Sequence, residues 1–303
     1  MMAILLKPGA RVVVQNALSA YGREMIPLMR EAGTQLVAGV APGHGGREAQ
    51  GLPVFDTVAE ACAATGADTS VIYTPPFGVA DAIVEAAAAG IALAVAAAEH
   101  APVHDVMPAL AFARERGMWV VGPNSLGLLS PGVGMLCGLP PAFGLPGRVG
   151  LISRSGTLSI VMLRTLSAAG IGQSTAVSIG GDGVIGRRPV EYVELFDADP
   201  ATDAVVVVGE IGGGKEAELA EATARFETPV VAMIVGRSAP QGRRFGHAGA
   251  LAGSPAETAD AKMALLREAG ATVCTSPAEV VEALRGLPAP VGARRQGRCE
   301  ATT

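Results

Sequence analysis

Short apolar runs alternate with amphipathic segments along residues 11–121. The runs favour β-branched and small apolar side chains, as buried strands do, whereas the longer segments between them have helical spacing. We predict strands at 11–14, 35–40, 69–73, 92–97 and 119–121, and helices at 22–32, 57–65, 79–89 and 106–116. Strands and helices that alternate in this way predict a parallel, doubly wound α/β sheet.

The same pattern starts again after residue 147. We predict strands at 149–153, 173–179, 204–209, 230–235 and 272–274, and helices at 157–169, 189–198, 215–225, 261–269 and 277–284. Between the two halves, frequent prolines and glycines predict a linker. We therefore expect a doubly wound domain at 1–125, a linker at 126–147, a second doubly wound domain at 148–287 and a disordered tail at 288–303.

The composition narrows the class of protein. Half of the 303 residues are apolar and only 4% are aromatic, so the cores must be built from Ala, Val, Leu and Ile. The formal net charge of −5 argues against a nucleic-acid partner, which would need a basic surface. The four cysteines form no CxxC pair, which favours free thiols in a reducing compartment. Neither a signal peptide nor a membrane span is recognisable, so we expect a soluble cytoplasmic protein without a membrane partner.

Ligands of open α/β sheets bind beyond the carboxyl ends of the strands, so the segments after the strands are candidate sites. The first of them, 15–22, holds one glycine and lacks the dinucleotide fingerprint. The second, 42–47, contains His44 among glycines and could hold phosphates, and it lacks the acidic residue that an NAD enzyme would favour. An ordinary strand-to-helix loop explains the first segment equally well.

Three candidates for chemistry lie in the second half. The small residues at 153–157 could start a helix whose N–H groups face an anion, or a plain capped helix. Glu210 follows a strand and could orient a histidine, or be a solvated loop residue. His247 lies in a Gly-rich loop that leaves its imidazole accessible, which favours a nucleophile over a structural histidine.

A metal site is not expected. His100 and His104 have the i, i+4 spacing of helical metal ligands, but Pro102 lies between them and argues against a continuous helix.

The segment 246–250, Gly-His-Ala-Gly-Ala after two arginines, resembles the phosphohistidine loop of the succinyl-CoA synthetase α subunit family. Further landmarks occur in the same order and at similar spacing over about 3–287. They lie at 43–46, 51–55, 71–73, 122–124, 153–157, 172–175, 179–182 and 209–213.

The resemblance implies a Rossmann-like CoA-binding domain followed by a flavodoxin-like ligase domain. It implies the α subunit of an NDP-forming acid–CoA ligase, in an αβ or α2β2 assembly. Its partner would be an ATP-grasp β subunit that binds ATP or GTP with Mg²⁺. A phosphohistidine would activate the acid as an acyl phosphate, from which the CoA thiol displaces phosphate.

The resemblance also implies roles for single positions. His247 would carry the phosphoryl group, Glu210 would orient it, and the helix start at Ser155, Gly156 and Thr157 would hold it. The CoA positions would be Leu18, Ser19, Ala20, Tyr21, His44, Ala97, Ala98 and Glu99, and the substrate position would be Ile160.

Several of these positions depart from the family pattern. The turn 18–22 replaces Thr-Gly-x-Gln-Gly, His44 replaces a lysine, 125–126 replaces Cys-Pro, and Ile160 replaces a substrate-contacting tyrosine. We therefore predict a divergent paralogue that uses succinate or a related acid such as malate. A non-catalytic CoA-binding protein and an NAD-dependent oxidoreductase are the alternatives. The intact His247 and Glu210 argue against the first, and the missing glycine fingerprint argues against the second.

Overall fold

The structure is a computed structural model that describes residues 4–239, 246 and 249–287. The chain forms two compact units. The N-terminal unit consists of Leu5–Pro141 and Ser178–Arg187, and the C-terminal unit consists mainly of Ala142–Val177 and the described residues from Arg188 onward. The predicted tail at 288–303 lies outside the described residues. No helix in the described ranges is long and apolar enough to cross a membrane.

The N-terminal unit is built on one sheet with the strand order β3-β4-β2-β1-β5-β6-β7. Its neighbouring strands pair in parallel, except for β3 with β4, which are antiparallel. The strands are β1 (Arg11–Gln15), β2 (Gln35–Val40), β3 (Glu48–Ala49), β4 (Leu52–Phe55), β5 (Thr69–Ile72), β6 (Leu93–Ala96) and β7 (Trp119–Val121). The helices are α1 (Ala20–Glu31), α2 (Val58–Thr65), α3 (Val79–Ala88) and α4 (Val103–Glu115).

The sequence explains where these elements begin and end. Every residue of β5 and β6 is buried, because strands covered by helices on both faces need apolar side chains throughout. Ser19 and Thr57 cap α1 and α2 with their hydroxyl groups. Gly66 ends α2 in a left-handed conformation at φ 64°, which glycine adopts without steric cost.

The segment 126–147, expected to be a linker, contains two further strands. They are β8 (Gly127–Ser130) and β9 (Gly134–Cys137), which pair with each other in antiparallel fashion and are fully buried. The antiparallel strands β3 and β4 were likewise not predicted. Such short strands carry too few residues for a periodic pattern, and the prolines and glycines around β8 and β9 obscure the signal further.

The C-terminal unit contains a second sheet, with the strand order β14-β13-β12-β10-β11 within the unit. The strands are β10 (Pro146–Ser153), β11 (Gln173–Ser178), β12 (Ala204–Glu210), β13 (Val230–Val235) and β14 (Thr272–Cys274). The helices are α5 (Gly156–Ala168), α6 (Pro189–Ala198), α7 (Lys215–Thr223), α8 (Ala259–Glu268) and α9 (Pro277–Arg285). The pairs β10–β12, β12–β13 and β13–β14 are parallel.

In each sheet the chain changes its direction of winding at one place. In the N-terminal unit this is the adjacent pair β1 and β5, and in the C-terminal unit it is β10 and β12. The helices that follow such a pair lie on opposite faces of the sheet, so a crevice opens at the carboxyl ends of the two strands. The predicted parallel α/β class is therefore confirmed, and the fold provides a candidate site in each unit.

Candidate functional site

The crevice of the N-terminal unit contains a pocket of about 260 Å³. It is lined by Tyr21, Tyr73, Thr74, Ala97, Ala98, Glu99, Ser125 and Leu126. These residues come from the segments that follow β1, β5, β6 and β7. Four of the predicted CoA positions, namely Tyr21, Ala97, Ala98 and Glu99, therefore lie together.

Two tyrosines form one wall of this pocket. The rings of Tyr21 and Tyr73 meet edge to face, with their centroids 5.0 Å apart. The Tyr73 hydroxyl donates a hydrogen bond to the carbonyl oxygen of Cys137 at 3.1 Å. Burial raises the pKa of Tyr21 to about 12 and the pKa of Tyr73 well above its ordinary value. Both phenols therefore stay neutral at physiological pH and present an uncharged surface to a ligand.

The pocket also offers a polar group. The hydroxyl oxygen of Thr74 is buried and makes no hydrogen bond to any described residue. A buried hydroxyl without a partner is costly, so this atom is a ready donor or acceptor for a ligand that enters the pocket. On the far rim, the carboxylate of Glu99 pairs with His100 at 3.6 Å in an exposed position.

The other predicted CoA positions do not line the pocket. Leu18, Ser19 and Ala20 form the turn between β1 and α1, where the Ser19 hydroxyl accepts a hydrogen bond from the Gly22 N–H. His44 is exposed on the turn after β2. These positions lie at the same sheet edge, so they could contact the outer part of a ligand that is longer than the pocket.

In the C-terminal unit, α5 begins at the carboxyl end of β10. The Ser155 hydroxyl accepts a hydrogen bond from the Leu158 N–H at 3.3 Å, which caps the helix. The hydroxyls of Ser153 and Ser159 both donate to the Ser155 carbonyl oxygen at 2.9 Å. The turn is thereby fixed, while Gly156 is half-buried and Thr157 is exposed. The positive end of α5 is accessible to an anion.

Four buried charged residues lie beside this helix start, and we call them the charge cluster: Arg154, Glu210, Glu216 and Lys262. The Arg154 guanidinium lies 3.2 Å from the Glu210 carboxylate and 3.7 Å from the Glu216 carboxylate. The Lys262 ammonium pairs with Glu216 from the other side. Two cations thus balance two carboxylates, which is the condition under which charges are tolerated in a protein interior.

The charge cluster also holds the loop after β12. Lys262 donates to the carbonyl oxygens of Glu210 and Gly212 at 2.8 and 2.7 Å, and Arg154 donates to the Gly212 carbonyl at 3.3 Å. Sequence reasoning selected Glu210 and missed the other three members. A charged residue directly after an apolar strand was the available signal for Arg154, but the pairing of distant residues is visible only in the fold.

His247 lies outside the described residues, as do Arg243 and Arg244, but the chain just after His247 can be placed. A β-carbon added to Gly212 would come 2.5 Å from the Gly249 carbonyl oxygen and 2.7 Å from the Leu251 nitrogen. Gly249 therefore packs directly on the loop that follows Glu210. Ile160, the predicted substrate position, is half-buried on the first turns of α5.

Residues 15–100 match the CoA binding domain family, and residues 146–287 match the succinyl-CoA ligase like flavodoxin domain family. The succinate–CoA ligase (ADP-forming) α subunit 1 of Archaeoglobus fulgidus is 45% identical over 94% of this chain and 98% of its own length. The malate–CoA ligase α subunit of Methylorubrum extorquens is 42% identical over 91% of this chain and 95% of its own.

A solved structure shares the arrangement. The ATP citrate lyase of Methanothrix soehngenii, in complex with citrate and coenzyme A, superposes with a TM-score of 0.82 at 25% identity over 92% of this chain. The chain spans about half of that protein, 49% of its length.

A CoA binding domain followed by a ligase-type flavodoxin domain defines a subunit of an acid–thiol ligase. The chain belongs to the family of succinate–CoA ligase α subunits. The resemblance recognised in the sequence is thereby confirmed.

Proposed function

We propose that this chain is the α subunit of an NDP-forming acid–CoA ligase that works through a phosphohistidine at His247. The overall reaction converts an acid, CoA and NTP into acyl-CoA, NDP and phosphate. One observation carries this assignment beyond family membership. Three segments meet at Gly212, in the loop directly after Glu210: the start of α5 through Arg154, α8 through Lys262, and the chain after His247 through Gly249.

The proposed chemistry has three steps. The His247 imidazole attacks the terminal phosphorus of NTP, an N–P bond forms, and NDP leaves. A carboxylate oxygen of the acid then attacks this phosphorus, so that the N–P bond breaks and an acyl phosphate forms. Finally the CoA thiolate attacks the acyl carbon, a thioester forms, and phosphate leaves with the electrons of the broken C–O bond.

The residues of the C-terminal unit have distinct tasks in this scheme. The N–H groups at Gly156 and Thr157, with the Ser155 cap, receive the phosphoryl group, which carries a charge near −2 and needs such donors. Glu210 accepts a hydrogen bond from the imidazole and sets its orientation. Arg154 keeps this carboxylate in place.

We further propose that CoA binds in the pocket of the N-terminal unit. The apolar walls at Ala97 and Ala98 and the unsatisfied Thr74 hydroxyl suit the alternating methylene and amide groups of the pantetheine arm. The turn at Leu18, Ser19 and Ala20, together with His44, would face the nucleotide end of the molecule.

The rest of the assembly is inferred from the family. We propose an ATP-grasp β subunit as the partner, which would bind ATP or GTP with Mg²⁺ and form an αβ or α2β2 heteromer. The cytoplasm is the proposed location, supported by free thiols at Cys62, Cys137 and Cys274, which suit a reducing compartment.

Succinate is the first candidate acid, because most of the similar subunits are named for it. Malate is the second, because a malate–CoA ligase α subunit is 42% identical. Ile160 offers no partner for a hydroxyl group, which favours the unsubstituted acid. Acid-dependent CoA consumption, measured with succinate, malate and other dicarboxylates, would identify the substrate. A higher kcat/KM for malate would contradict the first choice.

The phosphohistidine is tested with γ-labelled ATP, Mg²⁺ and the partner subunit. We expect an acid-labile, base-stable label that is lost in His247→Asn and retained in His100→Asn, which alters another histidine. Label that survives in His247→Asn would refute the assignment of the residue. An unlabelled wild-type protein that still binds CoA would favour the non-catalytic alternative.

A further inference from the structure

The pocket of the N-terminal unit rests on a stretch of chain that comes from much later in the sequence. We call Ser178–Arg187 the returning segment, because it belongs to the N-terminal unit although it follows β11 and precedes α6. A β-carbon at Gly180 would have no room against the carbonyl oxygen of Pro123, so the backbones are in close contact. The returning segment therefore packs on the loop after β7, which supplies Ser125 and Leu126 to the pocket.

Two buried serines join the pocket wall to the returning segment. The Ser125 hydroxyl donates to the Ser178 carbonyl oxygen and accepts from the Gly127 N–H at 2.7 Å. The Leu126 N–H donates to the Ser178 hydroxyl at 3.3 Å. Because Ser125 and Ser178 are only 3% and 0% exposed, water does not compete for these hydrogen bonds. Both wall residues are thereby held by the first residue of the returning segment.

Asn124 links the returning segment to another lining residue of the pocket. Its N–H donates to the carbonyl oxygen of Ala98 at 2.9 Å, and its own carbonyl oxygen accepts from the Gly181 N–H at 3.2 Å. Its side-chain amide donates to the Asp182 carboxylate at 2.9 Å. Its φ is 56°, in the left-handed region that asparagine adopts more readily than most residues. Asn124 therefore connects the loops after β6 and β7 with the returning segment.

The hydrogen bond between Asn124 and Asp182 involves a charged group. Asp182 is only 7% exposed, and hydrogen bonds to an ionised acceptor are roughly twice as strong as those between neutral groups. Removing a donor from a buried carboxylate also leaves that carboxylate less well satisfied. We therefore expect this bond to contribute more to the position of the loop after β7 than a bond between two neutral groups would.

We propose that Asn124 and Asp182 are positioning residues for CoA. Their hydrogen bond holds Ser125 and Leu126 at the distance from Ala98 that the pantetheine arm requires. A wall that is fixed in advance does not have to be ordered when the ligand binds, so the bond increases the affinity for CoA. This inference rests on the proposed function, because it takes this pocket as the CoA site.

The first test is Asn124→Gly, with the Kd for CoA measured by isothermal titration calorimetry in the complex with the partner subunit. Glycine adopts the same φ without steric cost, so the change removes the amide and keeps the backbone bonds. We expect the Kd to rise about fivefold to tenfold, near the lower end of the range for a hydrogen bond to a charged group. The matched control is Gln50→Gly, which removes an exposed side chain at φ 50° and should leave the Kd within about twofold.

An exchange of the two groups tests the pair directly. Asn124→Asp places two carboxylates against each other in a partly buried position, and the Kd should rise more than about tenfold. Aspartate also adopts the left-handed region, so the backbone is kept. Adding Asp182→Asn restores one amide facing one carboxylate, and the Kd should return to within about threefold of the wild type.

The initial rate of His247 labelling by γ-labelled ATP separates positioning from a general loss of structure. In the proposed scheme this step precedes the reaction of CoA, so Asn124→Gly should be labelled at the wild-type rate. The inference would be overturned if Asn124→Gly kept its Kd for CoA within about twofold of the wild type, or lost labelling and CoA affinity together. An exchange variant that binds CoA as weakly as Asn124→Asp would also overturn it.

Ala98→Phe distinguishes a failure of this inference from a failure of the proposed CoA site. Phenylalanine would occupy much of a pocket of about 260 Å³, so the Kd for CoA should rise more than about tenfold. An unchanged Kd in Ala98→Phe would show that CoA binds elsewhere and would overturn the proposed site and the inference together. A raised Kd in Ala98→Phe with an unchanged Kd in Asn124→Gly would overturn the positioning role alone.

Discussion

Replacing Arg154 by methionine should destabilise the C-terminal unit by about 3–5 kcal/mol, the cost of removing one partner from a buried ion pair. The side chain is 2% exposed and lies within 3.7 Å of both Glu210 and Glu216. Methionine fills most of the same volume, so the loss of stability would be mainly electrostatic in origin. The substitution would leave the buried Glu210 carboxylate without its guanidinium partner, and the Glu216 carboxylate with Lys262.

Urea unfolding followed by far-UV circular dichroism would measure this loss. The control is Arg237→Met, which removes an ion pair to Asp260 of 2.9 Å between side chains that are 57% and 70% exposed. This change should cost no more than about 1 kcal/mol, because water screens exposed pairs. Both variants replace an arginine by methionine, so the difference between their losses of unfolding free energy isolates the effect of burial.

A double variant sharpens the test. Adding Glu216→Gln to Arg154→Met restores the balance between one cation, Lys262, and one carboxylate, Glu210. The loss of unfolding free energy in the double variant should therefore be about 1–3 kcal/mol smaller than the sum of the losses in the two single variants. This is a typical coupling energy for residues in one network. If Arg154→Met cost less than about 1 kcal/mol, or if the two changes were additive, the cluster would not be the coupled unit described above.

Three further predictions concern single positions. Gly127→Ala should cost more than about 3 kcal/mol in urea unfolding, because its β-carbon would lie 1.9 Å from the Leu136 carbonyl oxygen. Gly117→Ala, at a similar positive φ but in open space, should cost about 1–2 kcal/mol, and equal losses would contradict the steric argument. Ser155→Ala should cost about 1 kcal/mol in the same assay through loss of the α5 cap, and an unchanged unfolding midpoint would refute that role. Burial raises the pKa of Cys137 to about 12, so this thiol should resist a thiol reagent at pH 8 until the protein unfolds. Peptide mapping of the native protein after treatment with the reagent would measure this, and a labelled Cys137 would contradict the prediction.

The regular part of the fold was predictable because it repeats. Alternation of apolar strands and amphipathic helices is a local property, so the core strands of both sheets and the order of the helices followed from the pattern. Strands β8 and β9 were missed because four residues each, set among prolines and glycines, carry no period. The domain bounds 1–125 and 148–287 remain predictions, and the structure adds that Ser178–Arg187 returns to the N-terminal unit.

A residue of the candidate site could be predicted only where the sequence around it carries a local signal. Ser155 has the sequence signature of a helix cap. Tyr21 and Glu99 lie in the segments that follow predicted strands, where ligands of such sheets bind. The interaction of Glu210 with Arg154 could not be read from the sequence, because 56 positions separate them and only the pairing of β10 with β12 brings them together. Lys262 joins from α8, still farther along the chain.

The charge cluster makes more sense as a positioning device than as a source of stability. A protein with apolar residues of similar volume in place of a buried ion network is often at least as stable, because the cost of desolvating the charges is avoided. What they could not do is hold a carboxylate and a peptide loop in one fixed place. Arg154 and Lys262 do both, since each binds a carboxylate and the carbonyl of Gly212. Because Gly249 packs on that same glycine, the cluster fixes the loop against which the chain next to His247 rests.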